Sequence, residues 1–235
     1  MQFRTNRSRH ADTVCLSVAH PRGYGLKAYI VNVLIVAGLL SLFMNGVRAA
    51  ENRTILALGD SLTAGYGLPQ PDAFPVKLQA ALAEAGQAVT VVNGGVSGDT
   101  SAGGRSRLNW LLAGTIDAVI LELGANDGLR GLDPGQTRAN LDWIMATLQK
   151  RDIPVLITGM VAPPNLGEDY GAEFNSIYPD LARKYGALLD PFYLQGVAAD
   201  PTLNQADGIH PNALGVAVIV KRMVPKVQQL LKTIK

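Results

Sequence analysis

From Thr54 onward the chain alternates short, nearly continuous apolar runs with longer stretches whose apolar positions recur at helical spacing. Thr54–Leu58, Val89–Asn93, Ala118–Leu123, Pro154–Met160 and Ala187–Leu189 are the apolar runs, and they read as strands. Phe74–Ala85, Thr137–Arg151, Ala172–Tyr185 and Asn212–Lys232 read as helices; in the second, Leu141, Ile144, Met145 and Leu148 form the apolar stripe. Strands alternating with helices predict an α/β fold, a parallel sheet covered on both faces. The strands are apolar throughout rather than at every second position, as burial on both faces requires. No internal repeat or low-complexity linker interrupts the pattern. In such sheets ligands bind beyond the carboxyl ends of the strands. Three polar, Gly-rich segments fall there, after Leu58, after Val92 and after Leu123.

The first fifty residues follow a different pattern. A basic stretch with Arg4, Arg7, Arg9, Arg22 and Lys27 leads into an apolar run from Ala28 to Phe43, broken only by Asn32, Gly38 and Ser41. Val47-Arg48-Ala49-Ala50 then supplies small residues for a signal peptidase. This is the order of a secretory signal. The run is shorter than the roughly 20 apolar residues that a spanning helix needs. Residues 1–50 are therefore expected to be a signal peptide cleaved near Ala49-Ala50, with an uncleaved anchor as the alternative. Either way the domain over residues 51–235 is exported.

Composition narrows the function classes. With 48% hydrophobic and 17% charged residues, the 235-residue chain is a globular protein with enough sequence for one full core. Net charge is only +2, and beyond residue 50 no dense Lys/Arg patch is interleaved with aromatics, so no nucleic-acid partner is expected. The one cysteine, Cys15, excludes an intramolecular disulfide. Of the three histidines, His10 and His20 lie in the leader and only His210 in the domain. A histidine-based zinc site is accordingly not expected.

Four segments carry candidate chemistry, each with a plainer alternative. In Gly59-Asp60-Ser61-Leu62-Thr63, a serine just past a strand and at a helix start can present its hydroxyl at the sheet edge; alternatively Asp60 or Ser61 is only an N-cap. In Asn93-Gly94-Gly95-Val96-Ser97-Gly98-Asp99-Thr100, bare backbone N–H groups can approach a ligand oxygen, or the glycines only make a tight turn. In Gly124-Ala125-Asn126-Asp127-Gly128, the Asn126 amide can donate to an oxyanion, or the segment is a turn. In Asp207-Gly208-Ile209-His210-Pro211-Asn212, an aspartate three residues before a histidine lets one loop supply an orienting acid and a base. There the alternative is a surface histidine beside a capping Asn212. Together the segments offer a nucleophile, oxyanion donors, a base and an acid at one edge of one sheet. No serine sits in a Gly-x-Ser-x-Gly elbow, which argues against the common α/β-hydrolase architecture.

In order and content these segments resemble the four blocks of the SGNH, or GDSL-type, hydrolase family. Gly59-Asp60-Ser61-Leu62 resembles its nucleophile block, Gly98 and Asn126 match its oxyanion donors, and Asp207 with His210 matches its terminal Asp-x-x-His. The likeness runs from about Thr54 almost to the C-terminus. It is nearest the bacterial periplasmic thioesterase, arylesterase and lysophospholipase group, which Ser97-Gly98-Asp99-Thr100-Ser101 and Asn126-Asp127-Gly128-Leu129-Arg130-Gly131 also resemble. The resemblance implies a flavodoxin-like, three-layer α/β/α fold with about five parallel strands and no cofactor. It implies hydrolysis of esters or thioesters by Ser61, His210 and Asp207, with an oxyanion hole from Ser61, Gly98 and Asn126. The expected partner is a small-molecule acyl ester or thioester, membrane lipid included, met by a monomer in the periplasm. A sugar O-acetylesterase on the same fold and a non-catalytic nucleotide-binding α/β module are the rivals. The second has neither Gly-x-x-x-x-Gly-Lys-Ser/Thr nor Gly-x-Gly-x-x-Gly in its favour.

Overall fold

A computed structural model describes Gly25 and residues 52–234. The reading of residues 1–50 as an export signal lies outside them, Gly25 apart. Five parallel strands form one sheet in the order β2-β1-β3-β4-β5. They are β1 (Arg53–Gly59), β2 (Val89–Gly95), β3 (Ala118–Glu122), β4 (Val155–Thr158) and β5 (Leu188–Asp190). Each lies where the apolar runs predict it, with ends shifted by one or two residues. The order is that of flavodoxin-like sheets.

Among the described residues seven α-helices accompany the sheet: α1 (Ser61–Ala64), α2 (Phe74–Glu84), α3 (Ser101–Leu111), α4 (Ala125–Leu129), α5 (Pro134–Gln149), α6 (Glu168–Tyr185) and α7 (Ala213–Leu231). Right-handed crossovers dictate their sides. The chain moves one way from β1 to β2 and the other way through β3, β4 and β5. Helix α2 therefore covers one face, where it packs on α7, and α3, α5 and α6 pack in a row on the other. The core lies between, with Leu56, Leu58, Ile120, Leu121, Leu156 and Ile157 fully buried. Because the chain leaves neighbouring strands β1 and β3 toward opposite faces, a crevice opens at their carboxyl ends. Gly95, Gly59 and Glu122 stand level there, paired across β2, β1 and β3.

Two elements depart from the sequence pattern. Helix α3 escapes hydrophobic periodicity because only Ser101, Gly104 and Leu108 on it are buried, and two glycines interrupt it. Gly104 is there for packing: a Cβ would collide with Leu123. Asn93-Gly94-Gly95, read as the start of a loop, instead completes β2 and pairs with Ala57-Leu58-Gly59. A Cβ on Gly95 would collide with the backbone nitrogen of Ala64, so a bare strand end is what lets α1 lie across it. Helices α5 and α6 begin earlier than their apolar stripes. Asp133 caps α5 ahead of Pro134, and Glu168 and Asp169 occupy the acidic first turn of α6. Among the described residues no helix is long and apolar enough to cross a membrane.

Candidate active site

Strand β1 runs into α1 through Gly59-Asp60-Ser61. The capping and hydroxyl-presenting readings of this segment fall on two different residues. Asp60 is the N-cap, its Oδ1 accepting from the Leu62 N–H at 3.0 Å. With the cap supplied, the Ser61 hydroxyl is free of that duty and meets another partner, His210 Nε2, at 2.9 Å.

That histidine stands 149 residues away in sequence, on the loop before α7. Asp207 organises the loop: its Oδ1 accepts from the backbone N–H groups of Ile209 and His210, both at 3.0 Å. Its Oδ2 lies 2.7 Å from His210 Nδ1. The two His210 bonds, backbone first and then ring, hold the Asp207 carboxyl down to about 2. An ionised carboxylate only accepts, so Nδ1 carries the proton, and Nε2 is left to accept from the Ser61 hydroxyl. Asn212 also caps α7, accepting from Leu214 and Gly215 N–H; the capping alternative is thus true of Asn212 without displacing His210. Gln205 ties this loop to the one after α1 by donating to Tyr66 O at 2.7 Å and Pro211 O at 3.0 Å. The Tyr66 ring lies over the imidazole at 4.7 Å between centroids.

The candidate oxyanion donors follow the carboxyl ends of β2 and β3. Gly98, with φ +82°, follows β2, and Asn126 lies in the first turn of the short helix α4. The Asn126 amide donates to Asp60 Oδ2 at 3.2 Å and to Asp99 O at 2.9 Å. It thereby joins the Asp60-Ser61 segment to the Gly98 loop. Neither the Ser61 nor the Gly98 backbone N–H donates to another group among the described residues.

Sequence reasoning missed Glu122. It is fully buried under α1, and its Oε2 accepts from Thr63 Oγ1 at 2.7 Å and from the Asp60 N–H at 3.2 Å. Burial, then the charge of Asp60, pushes its carboxyl well above the ordinary glutamate range. Burial likewise raises Asp60 from 3.8 to about 6, against the Leu62 and Asn126 bonds that lower it. The available signal was a single acidic residue inside the apolar run Ala118–Leu123.

Beside Ser61, Asn126 and His210 lies a cavity of about 410 Å³, walled mainly by apolar groups, among them Leu62, Leu129, Met160, Pro163, Phe192 and Ile209. Among the described residues, no group of three or more His, Cys, Asp or Glu side chains is arranged to hold a metal ion. The site thus combines a hydroxyl bonded to an oriented imidazole, unengaged N–H groups and an apolar recess. That combination suits attack on an acyl carbonyl.

Comparison with known proteins agrees. Residues 57–218 match the GDSL-like Lipase/Acylhydrolase family. The chain is 38% identical over 202 residues to esterase TesA of Pseudomonas aeruginosa, covering 86% of this chain and 100% of that protein. It is 40% identical over 185 residues to thioesterase 1/protease 1/lysophospholipase L1 of Escherichia coli, covering 78% of this chain and 87% of that one. Among solved structures it is similar to AlinE4, an SGNH-hydrolase family esterase, with 48% identity and a TM-score of 0.65 over 77% of this chain and 97% of the other.

The raised Asp60 carboxyl has a measurable consequence. Folding makes this group hold its proton more tightly, so its contribution to stability is complete below about pH 3.8 and lost as pH rises through about 6. Asp60→Asn keeps an N-cap acceptor but cannot titrate. Melting temperatures across pH 4 to 7 should show the wild type losing ground to Asp60→Asn as pH rises; parallel curves would mean that Asp60 titrates normally.

Proposed function

The chain belongs to the GDSL-like lipase/acylhydrolase family and is an ester hydrolase, and we propose that Ser61 is its nucleophile, His210 its general base and acid, and Asp207 the group that orients the imidazole. The observation that carries this reading is the pair of contacts on one ring, Nε2 to the Ser61 hydroxyl at 2.9 Å and Nδ1 to Asp207 at 2.7 Å. Ser61 Oγ bonds to the acyl carbon as its proton passes to Nε2. The carbonyl oxygen becomes an oxyanion, held by the Ser61 and Gly98 N–H groups and by Asn126. The oxyanion draws an Asn126 hydrogen away from its resting acceptors, because a bond to a full negative charge is the stronger one. His210 then gives its proton to the leaving oxygen or sulfur as the bond to the acyl carbon breaks. Water repeats the sequence on the acyl-enzyme and restores Ser61. One chain carries every group the chemistry uses, so the site is complete in a monomer.

The apolar wall of the cavity favours an acyl chain over a sugar, so we favour esters and thioesters of fatty acids, lysophospholipids included, over O-acetylated sugars. We further propose that residues 1–50 are an export signal, that residues 51–235 form the mature hydrolase, and that it acts in the periplasm; the basic, apolar and small-residue order of the leader supports this.

Three outcomes test the proposal. Ser61→Ala should lose several orders of magnitude in kcat, and a fluorophosphonate should label the wild type but not this variant; labelling at another serine would overturn the assignment. Asn126→Ala should cut kcat by about 10²–10³-fold with KM nearly unchanged. A variant that only melts earlier, with normal kcat while folded, would remove Asn126 from the oxyanion hole. Mass spectrometry of the exported protein should find an N-terminus near Ala50, and an intact leader in the membrane fraction would favour an anchor.

A further inference from the structure

Arg107 leaves α3 and inserts its guanidinium between segments that the proposed chemistry has to keep in register. Nε donates to Asp99 Oδ2 at 2.6 Å, one Nη to Gly94 O at 2.6 Å, and the other Nη to Gly59 O at 2.7 Å. The side chain is only 18% exposed. Gly59 ends β1 two residues before Ser61, and Asp99 follows Gly98 directly. Asp99 is held from its other side as well, since its carbonyl accepts the Asn126 amide. One planar cation therefore touches the root of the nucleophile segment, the end of β2 and the loop that presents Gly98. Strand pairing already holds Gly59 and Gly94 within the sheet, but the Gly98 loop lies beyond the last paired residue. Within this fork, the bond to Asp99 is what reaches that loop. Gly103 keeps the approach open, because a Cβ there would lie 2.5 Å from Asp99 Oδ1.

We propose that Arg107 is a positioning residue for ester hydrolysis, locking the Gly98 N–H at the distance from Ser61 that the oxyanion requires; this rests on the assignment of Ser61 and Gly98 above. It touches no reacting atom. Three acceptors fanned around one plane match a guanidinium, whereas a lysine ammonium is a point charge that serves only part of them. Loss of the fork also leaves the Asp99 carboxylate without its partner, and the loop then relaxes toward water. A displacement of about 1 Å at a reacting centre costs on the order of 10²-fold in rate.

The test uses the full chain and steady-state hydrolysis of an aryl ester, with circular dichroism and melting temperature recorded on every sample. Arg107→Ala is expected to lower kcat about 10²-fold while KM moves by no more than about twofold, the signature of a defect confined to the transition state. Millimolar guanidinium should restore part of the lost rate, and methylammonium should not. Arg107→Lys keeps charge and bulk and should stay about tenfold or more below wild type; it carries the test if the alanine variant does not fold. Arg105→Ala is the control, since Arg105 bonds Asn140 and stacks on Trp143, and it should retain wild-type kcat. Wild-type kcat in folded Arg107→Lys, or a loss in Arg107→Ala that only tracks the unfolded fraction without guanidinium rescue, would overturn the proposal. Ser61→Ala in the same assay separates the two readings. If it stays active, the nucleophile assignment has failed; if it is dead beside a fully active Arg107→Lys, only the role of Arg107 has.

Discussion

A carboxyl group cut off from water lies beneath the first turn of α1, and the site is arranged around it. Glu122 ends β3 level with Gly59, and its Oε2 accepts from both the Asp60 N–H and the Thr63 hydroxyl. Those bonds fix the turn through which β1 becomes α1. They also force Gly59 to be bare, since a Cβ there would collide with Thr63 Oγ1 and lie 2.5 Å from Glu122 Oε2. Desolvating a carboxyl is costly unless it is neutral or bonded. Here one oxygen is bonded, while Oε1 is buried with no partner. Such a group persists in a core only where the surrounding structure over-determines it, and the segment it holds carries Ser61.

From that turn the other parts follow by short bonds rather than by bulk packing. Asp60 caps α1 with one oxygen and accepts from Asn126 with the other. Asn126 continues to Asp99, and Asp99 to Arg107, which returns to Gly59. The circuit closes across β1, β2 and β3, so the proposed oxyanion donors are braced against each other. Preorganisation of this kind is where most of the electrostatic benefit of an active site originates. His210, the proposed base, enters from outside the circuit on the loop before α7. It is oriented by Asp207 and covered by Tyr66.

The apolar recess serves a different purpose. Much of its wall comes from the loop after β4 and the segment after β5, which do not take part in the bonds around Ser61, while Leu62, Asn126 and Ile209 complete it beside the serine. The recess is thus built largely on parts of the chain other than the strand ends beside Ser61.

The amino-acid sequence by itself determined the layers of this fold. Five apolar runs separated by helical stripes leave a parallel sheet as the arrangement that buries them, and each run became a strand. It also determined the chemical inventory: one serine at a strand end, one histidine beyond residue 50, and an aspartate three residues before it. What escaped was whatever depends on partners distant in sequence. Helix α3 was invisible because its buried face is made of Ser101, Gly104 and Leu108 rather than a hydrophobic stripe. Glu122 looked like a lapse in an apolar run, and Arg107 like one of several arginines on a polar stretch. Tertiary structure alone decided that the Asn126 amide bonds Asp60 and Asp99 and that Asp60 rather than Ser61 caps α1; the meeting of the Ser61 hydroxyl with an imidazole 149 residues away was expected only from the family resemblance. The physical reason is range. Hydrophobic periodicity is a local property that a chain displays along its length, whereas a hydrogen bond between buried polar groups exists only once the sheet has brought their strands side by side.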